Sequence, residues 1–127
     1  MAMTDYLENK LLDHVLKNTA YTSPTTVHIG LLTVTPTDST AGTELTNTGY
    51  TRQTLSFGTA SVGAVATNTV LTWTNSSGSD WDTAVALGIY DAATGGNLLF
   101  YKTISGKLVK DTESLSIASG DLTVTLD

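Results

Sequence analysis

The stretch that decides the fold is Thr83–Ser105, TAVALGIYDAATGGNLLFYKTIS. Two apolar runs, Ala84–Tyr90 and Leu98–Ile104, flank a segment of turn-forming residues at 91–97. The larger apolar side chains of the first run recur at every second position, which is the period of a β-strand. The Gly95-Gly96 pair takes a positive φ without steric cost. We therefore predict a β-hairpin with a loop longer than two residues, at the centre of an all-β domain.

Further strands are predicted where apolar residues alternate between turn signals. They cover residues 25–34, 50–57, 69–74 and 122–126, a short segment around 115–117, and a weak strand or turn at 61–68. The polar loop 35–49 is long for a compact domain, and we expect it to make contacts or to be mobile. Residues 106–113 are predicted to form an exposed connection.

A single amphipathic helix is predicted over residues 4–17, with Thr4 as its N-cap and Asn18 as its end. Its apolar side chains recur every four residues, at Leu7, Leu11 and Val15, and the stripe is widened by Leu12 and Leu16. A helix of about 14 residues is marginally stable alone and needs a surface to lie on. That surface is either the edge of its own sheet or a neighbouring subunit, and the pattern leaves both open.

One helix and about seven or eight strands separated by turns predict a mainly β fold. We expect a single β-sandwich or jelly-roll-like domain over residues 1–127, with the helix at about 4–17 and the β-domain at about 25–127. Small residues within the central hairpin, Ala86 and Gly88, indicate that another layer approaches the sheet closely.

Composition and charge argue against several classes of partner. The net charge is −6 with only 6 Lys and Arg, so direct binding of nucleic acid, which relies on cations, is not expected. The chain has no polybasic patch and no apolar run near the ~20 residues of a membrane helix. Charged residues form 14% of the chain against roughly 25% on average. A surface rich in hydroxyls resists association weakly, and this is compatible with packing against other subunits.

No catalytic constellation is found, and we predict that the protein is not an enzyme. The two histidines, His14 and His28, lie in different predicted elements and outside any recognisable motif. Asp80 and Asp82 are spaced so that both carboxylates point to one side of an extended segment, and oxygen ligands suit calcium. No EF-hand loop follows them, so solvated turn residues are the preferred interpretation. We assign no metal, no cofactor and no catalytic residue.

Aromatic residues leave one binding hypothesis open. A sugar-stacking surface, as in a lectin-like receptor-binding module, could be formed by Trp73, Trp81, Tyr50, Tyr90 and Tyr101. Aromatic residues at alternating strand positions more often form core contacts or cross-strand pairs.

Five segments together resemble a family of small structural proteins of tailed bacteriophages. They are MAMTDYLENKLLDHVLKNTAYTSPTTVHIGLLT, GTEL with GYTRQTLSFG, DWDTAVALGIYDAATGGNLLFYKTI, and ASGDLTVTLD. Members of this family are often labelled phage tail fibre proteins, and some resemble capsid cement, or decoration, proteins. The resemblance implies a virion component assembled in the host bacterial cytoplasm. It supplies no catalytic residues.

The leading hypothesis is a cement protein that binds the outer surface of the major capsid protein and stabilises the head. Repetition over a closed shell multiplies a modest contact through avidity. We expect a homo-oligomer, with a trimer suited to the local symmetry axes of a shell. The alternative is a tail or neck component, associated with the tail tube or fibre, whose strand edges pair between subunits in rings. If the helix lies between subunits, the contact residues are Leu7, Leu11, Val15 and Tyr21.

Overall fold

A computed structural model describes residues 1–126, and within them the chain forms one α-helix and ten β-strands. In chain order these are β1 Ala2–Met3, α1 Asp5–Leu16, β2 Val27–Val34, β3 Thr43–Glu44, β4 Gln53–Leu55, β5 Ala64–Ala66, β6 Leu71–Thr74, β7 Ala84–Tyr90, β8 Leu98–Lys107, β9 Ser114–Ile117 and β10 Thr123–Thr125. The predicted mainly β fold with one N-terminal helix is confirmed. Asp127, the last residue of the predicted domain, lies outside the described residues.

The central hairpin forms as predicted. β7 and β8 pair antiparallel with Ile89 opposite Phe100, and residues 91–97 connect them. β2 pairs with the other side of β7, with Ile29 opposite Ile89. The resulting six-stranded sheet has the order β1-β8-β7-β2, and the far edge of β2 is shared by β3 and β4. Two antiparallel ribbons, β5 with β10 and β6 with β9, complete the strands.

The main hydrophobic core lies between the six-stranded sheet and the two ribbons. Alternation along β2 and β7 sends one set of side chains from the sheet into this core. The buried members of the core are Ile29, Leu31, Leu45, Leu55, Leu71, Trp73, Trp81, Ala84, Leu87, Ile89, Val109, Leu122 and Val124. Because the ribbons face the sheet across this core, the chain forms the two-layered β-domain expected from its pattern.

The opposite face of the sheet, which we call the outer face, is also covered. Its buried apolar residues lie outside the main core and include Leu7, Leu32, Ala86, Tyr90 and Leu98. A Cβ atom added at Gly88 would lie 2.7 Å from Leu98 Cδ1 and 2.9 Å from Leu32 Cδ1. Only a glycine leaves room for these side chains, but Leu98 and Leu32 belong to β8 and β2 of the same sheet. The space beside Gly88 is therefore filled by neighbouring strands, and the approach of another layer predicted there is not what the structure shows.

The first half of helix α1 packs against the large sheet. Leu7 is buried and α1 contacts β8. Thr4 is the N-cap residue, as predicted, but its side chain makes no capping hydrogen bond. Its hydroxyl donates instead to the carbonyl oxygen of Leu98 at 2.7 Å, which ties the helix start to β8. Asn18 ends the helix as predicted, with a left-handed φ of 54°. Within residues 1–126, the helix is neither long nor apolar enough to cross a membrane.

Three predicted segments differ from the structure. The strand expected at 50–57 shortens to Gln53–Leu55, and Phe57 forms only an isolated bridge to Thr67. The loop 35–49 contains the short strand β3 and the buried Leu45. The connection at 106–113 is not wholly exposed, because β8 continues to Lys107 and Val109 is buried where its carbonyl accepts from the Trp81 N–H at 3.0 Å.

Candidate functional site

Two glycines lie directly opposite each other in the middle of the sheet and form a floor on its outer face. Gly30 of β2 pairs with Gly88 of β7. A Cβ atom at Gly30 would lie 2.7 Å from both Glu44 Oε1 and Tyr50 Oη. The missing side chain therefore lets polar groups from the segment 44–52 reach down to the sheet.

Tyr50 completes the edge of β2 between its two short partners. β4 pairs with β2 up to Ile29 and β3 pairs from Leu32 onwards, so the edge between them lacks a strand. The Leu31 N–H donates to Tyr50 Oη at 2.9 Å, and the tyrosine O–H donates to Glu44 Oε1 at 2.8 Å. A side-chain hydroxyl thus satisfies a backbone donor that would otherwise be unpaired, which is costly in a buried position.

Arg52 joins this edge to the loop of the central hairpin. Its Nε and Nη2 donate to the two carboxylate oxygens of Glu44 at 2.8 and 2.7 Å. Its Nη1 donates to the carbonyl oxygens of Ala92 and Gly95 at 2.7 and 2.8 Å. The guanidinium also stacks on Tyr90, with Cζ 3.5 Å from the ring centroid. We call Glu44, Tyr50, Arg52 and Tyr90 the Arg52 cluster.

The electrostatics of the Arg52 cluster favour the neutral forms of Tyr50 and Tyr90 and the charged form of Arg52. Burial raises the pKa of Tyr50 far above its usual value, and the Glu44 carboxylate raises it further against the opposing hydrogen bond from Leu31. Burial, with a smaller contribution from Glu44, raises the pKa of Tyr90 to about 12. Burial would lower the pKa of Arg52, but its hydrogen bonds to Glu44 outweigh this and the pKa is raised. The polar groups of Glu44, Tyr50 and Arg52 are hydrogen-bonded to one another, and Arg52 in addition holds the hairpin loop through two carbonyl oxygens.

The predicted interface residues lie in different environments. Leu7 is buried within its own chain at 5% exposure, so it serves internal packing. Leu11 and Tyr21 are partly buried, and the Tyr21 N–H donates to His14 Nδ1 at 3.3 Å. Val15 is 73% exposed. Whether these residues contact a neighbouring subunit stays a prediction.

An apolar surface lies on the second half of α1. Leu12, Val15 and Leu16 are 55%, 73% and 75% exposed, and their spacing places them on one side of the helix. We call these three residues the α1 apolar face. The hydrophobic period of the helix indicated Leu12 and Leu16, but sequence alone did not separate the half of the helix that is buried from the half that is free.

An apolar groove opens between the large sheet and the β5–β10 ribbon. It has a volume of about 310 Å³. Its lining contains no charged residue and consists of Val27, Phe57, Ala60, Gly63, Ala64, Val65, Ile89, Leu99, Phe100, Val124 and Leu126. The groove has the chemistry to accept an apolar side chain or helix face, and no sequence motif indicated it.

The other candidates from the sequence have structural roles. Trp73 and Trp81 are both buried and donate their indole N–H to the carbonyl oxygens of Thr51 and Thr48. They therefore do not form the exposed stacking surface that a sugar site around Trp81 would need. Asp80 accepts from the backbone N–H of Asp111 at 2.9 Å.

Metal and acid–base chemistry gain no support from the described residues. Across residues 1–126, no group of three or more His, Asp or Glu lies together to hold a metal ion. His28 Nδ1 is buried without a hydrogen-bond partner, and neither histidine forms an ion pair with a carboxylate in this part of the chain.

Comparison with protein families finds a match over nearly the whole chain. The profile of the family described as Podophage GP4 fiber I protein gp80 matches residues 2–125. A search of the curated proteins found no match. The matched range contains α1, the Arg52 cluster and all the strands of both ribbons, since the last of these strands, β10, ends at Thr125.

Proposed function

This chain belongs to the Podophage GP4 fiber I protein gp80 family, and from that premise we propose that it is a fibre subunit that works by docking on neighbouring virion proteins. Members of the family are phage fibre structural proteins, so the chain is a non-enzymatic component of the virion. The docking itself is the proposal, and the α1 apolar face is the observation that carries it.

The α1 apolar face is largely exposed to water in the isolated chain, so it contributes little to the packing of the helix. Helix α1 has only 12 residues, and a helix of this length draws its stability from packing. Leu7 supplies that packing at one end, while Leu12, Val15 and Leu16 remain in water at the other. Burying such a side chain is worth about 1.5–3 kcal/mol, so covering all three by a neighbour would stabilise a contact substantially.

The family description supports the fibre alternative over the cement hypothesis that the sequence favoured. Both roles use the same physical device, which is an apolar patch covered by a neighbour. They differ in position: a fibre subunit lies at the tail, and a cement protein lies on the outer surface of the head. Position is therefore the property that separates them.

Labelling of intact particles tests the position. Gold-conjugated antibody against this chain, viewed by electron microscopy, should mark the fibres. Label confined to the head surface would replace the fibre proposal with the cement role.

A matched pair of variants tests the docking. Val15→Asp places a charge on the α1 apolar face, and Val70→Asp places one at an apolar residue that is similarly exposed, at 66%. We expect particles that carry Val15→Asp to contain much less of this chain, because a buried carboxylate is strongly disfavoured. Particles with Val70→Asp should contain the usual amount. Equal incorporation of both variants would contradict docking through α1.

A further inference from the structure

We propose that the α1 apolar face of one copy of this chain seats in the apolar groove of a second copy. This inference rests on the proposed function, and it names the partner of the same docking surface. Helices that present apolar side chains at a spacing of three and four residues commonly bind in apolar grooves. The chain carries both halves of such a contact, and in the structure of one copy neither half is filled by the other.

The groove and the helix face match in chemistry. The lining of the groove has no charged side chain, and a charged occupant would lose its hydration without a partner. On α1 the charges beside Val15 and Leu16 neutralise each other, since Lys17 Nζ lies 3.6 Å from Asp13 Oδ1. The free half of the helix therefore presents aliphatic side chains with little net charge, as the groove requires.

The size of the chain points to a second copy as the occupant. A compact chain of 127 residues has a radius of gyration of about 14 Å. A fibre of such domains reaches its length by repetition, and repetition needs a contact between copies. Leu7 holds α1 on the outer face of the sheet, which leaves the α1 apolar face free on that side, and the groove opens on the core face. The contact therefore joins two different surfaces. Such a contact builds a ring when its rotation closes and a filament when it does not.

The rim of the groove carries an independent sign of a missing partner. Val62 is fully exposed and has a left-handed φ of 51°, in a two-residue turn with Gly63, which lines the groove. A β-branched residue in this conformation is a strained outlier, and asparagine or glycine is preferred there. Strain of this kind is commonly kept where function needs it. An apolar side chain at the rim would cover the edge of a helix seated in the groove.

Disulfide trapping tests the contact, since the chain has no cysteine of its own. Two full-length single-cysteine variants, Leu16→Cys and Ala60→Cys, are mixed at concentrations where the protein associates and are then oxidised. Ala60 lines the groove and is exposed. We expect the mixed disulfide between the two variants to exceed each self-disulfide at least tenfold. A mixture of Leu16→Cys with Val70→Cys serves as the control and should form no excess.

A second variant blocks the groove without altering the helix. Ala60→Trp should fill the opening, and the concentration needed for half association in sedimentation experiments should rise at least tenfold. The neighbouring exposed residue gives the matched variant Thr59→Trp, which should leave association unchanged. Circular dichroism spectra that match those of the original chain would show that both variants are folded.

The outcomes separate this inference from the proposed function. A dominant Leu16→Cys self-disulfide would show that α1 meets α1, which overturns the groove contact and leaves docking through α1 intact. Association that Ala60→Trp does not affect would also overturn the groove contact. Failure of the proposed function appears elsewhere, as label on the head or as normal incorporation of Val15→Asp.

Discussion

Arg52 is the single arginine of the chain, and its replacement by alanine tests how the outer face of the sheet is held together. The change removes four hydrogen bonds, two to the Glu44 carboxylate and two to carbonyl oxygens of the loop 91–97. It also removes the stacking on Tyr90. The side chain of Glu44, which is 26% exposed, is left without its cation.

The expected loss follows from the burial of the pair. Removing one partner of a buried ion pair costs about 3–5 kcal/mol, and the partial exposure of Glu44 places the cost near the lower value. We therefore expect the free energy of unfolding to fall by about 3 kcal/mol. The entropy of unfolding for a chain of 127 residues is about 0.27 kcal/mol/K, so Tm should fall by about 11 °C.

Urea and thermal unfolding followed by circular dichroism measure this loss. Arg52→Lys keeps the charge and should fall between the original chain and Arg52→Ala, because an ammonium group cannot bridge the carboxylate and both carbonyls in one plane. Lys102→Ala removes an exposed cation and should change stability by less than about 0.5 kcal/mol. A change for Arg52→Ala as small as that of Lys102→Ala would refute the clamping role of Arg52.

Three further predictions concern the same surfaces. Gly30→Ala should destabilise the chain by about 1–3 kcal/mol in urea unfolding, because the added Cβ would lie 2.7 Å from Glu44 and Tyr50. An unchanged unfolding midpoint would contradict the requirement for a glycine at position 30. Val62→Asn should stabilise the isolated chain by about 1 kcal/mol, because asparagine tolerates the left-handed backbone conformation that strains a valine. It should also weaken association, because it removes an apolar side chain from the rim of the groove, and stronger association would contradict this role of Val62. The pKa of Tyr90 is raised from 10.0 to about 12, so its contribution to stability is complete below pH 10 and is lost as the pH rises towards 12. Tyr90→Phe should lose less stability over that pH range, and equal losses in the two proteins would refute this assignment.

The strands could be predicted because their signal is local. In β2 and β7 the alternation of apolar residues gives the strand and its buried face together, and Ile29 and Ile89 do face the same core. The loop of the central hairpin could also be predicted, because two adjacent glycines lie between two apolar runs. Period and turn chemistry together were sufficient for the mainly β fold.

The Arg52 cluster could not be predicted in the same way, because its contacts join residues far apart in the sequence. Arg52 lies eight residues from Glu44 and about forty from Ala92 and Gly95. The segment GYTRQ lies in a part of the chain that resembles a phage family, but a resemblance specifies no contact. Two signals were nevertheless present: a solitary arginine beside a tyrosine, and a glycine in the middle of each of two predicted strands.

Of the two surfaces that we propose for docking, the sequence indicated the α1 apolar face in part and the groove not at all. The helical period marks one apolar stripe along the whole of α1, while the structure divides this stripe into a buried end at Leu7 and a free end at Val15 and Leu16. The groove arises where the large sheet meets the β5–β10 ribbon, and its walls come from five separate parts of the chain. A groove whose walls come from distant parts of the chain cannot be predicted from the pattern of neighbouring residues.

The most direct measurement is a reconstruction of the virion by electron cryomicroscopy in which this chain is resolved. We expect the chain in the fibre, with Leu12, Val15 and Leu16 covered by a neighbouring subunit. A reconstruction that shows these three side chains facing solvent in the assembled particle would contradict docking through α1.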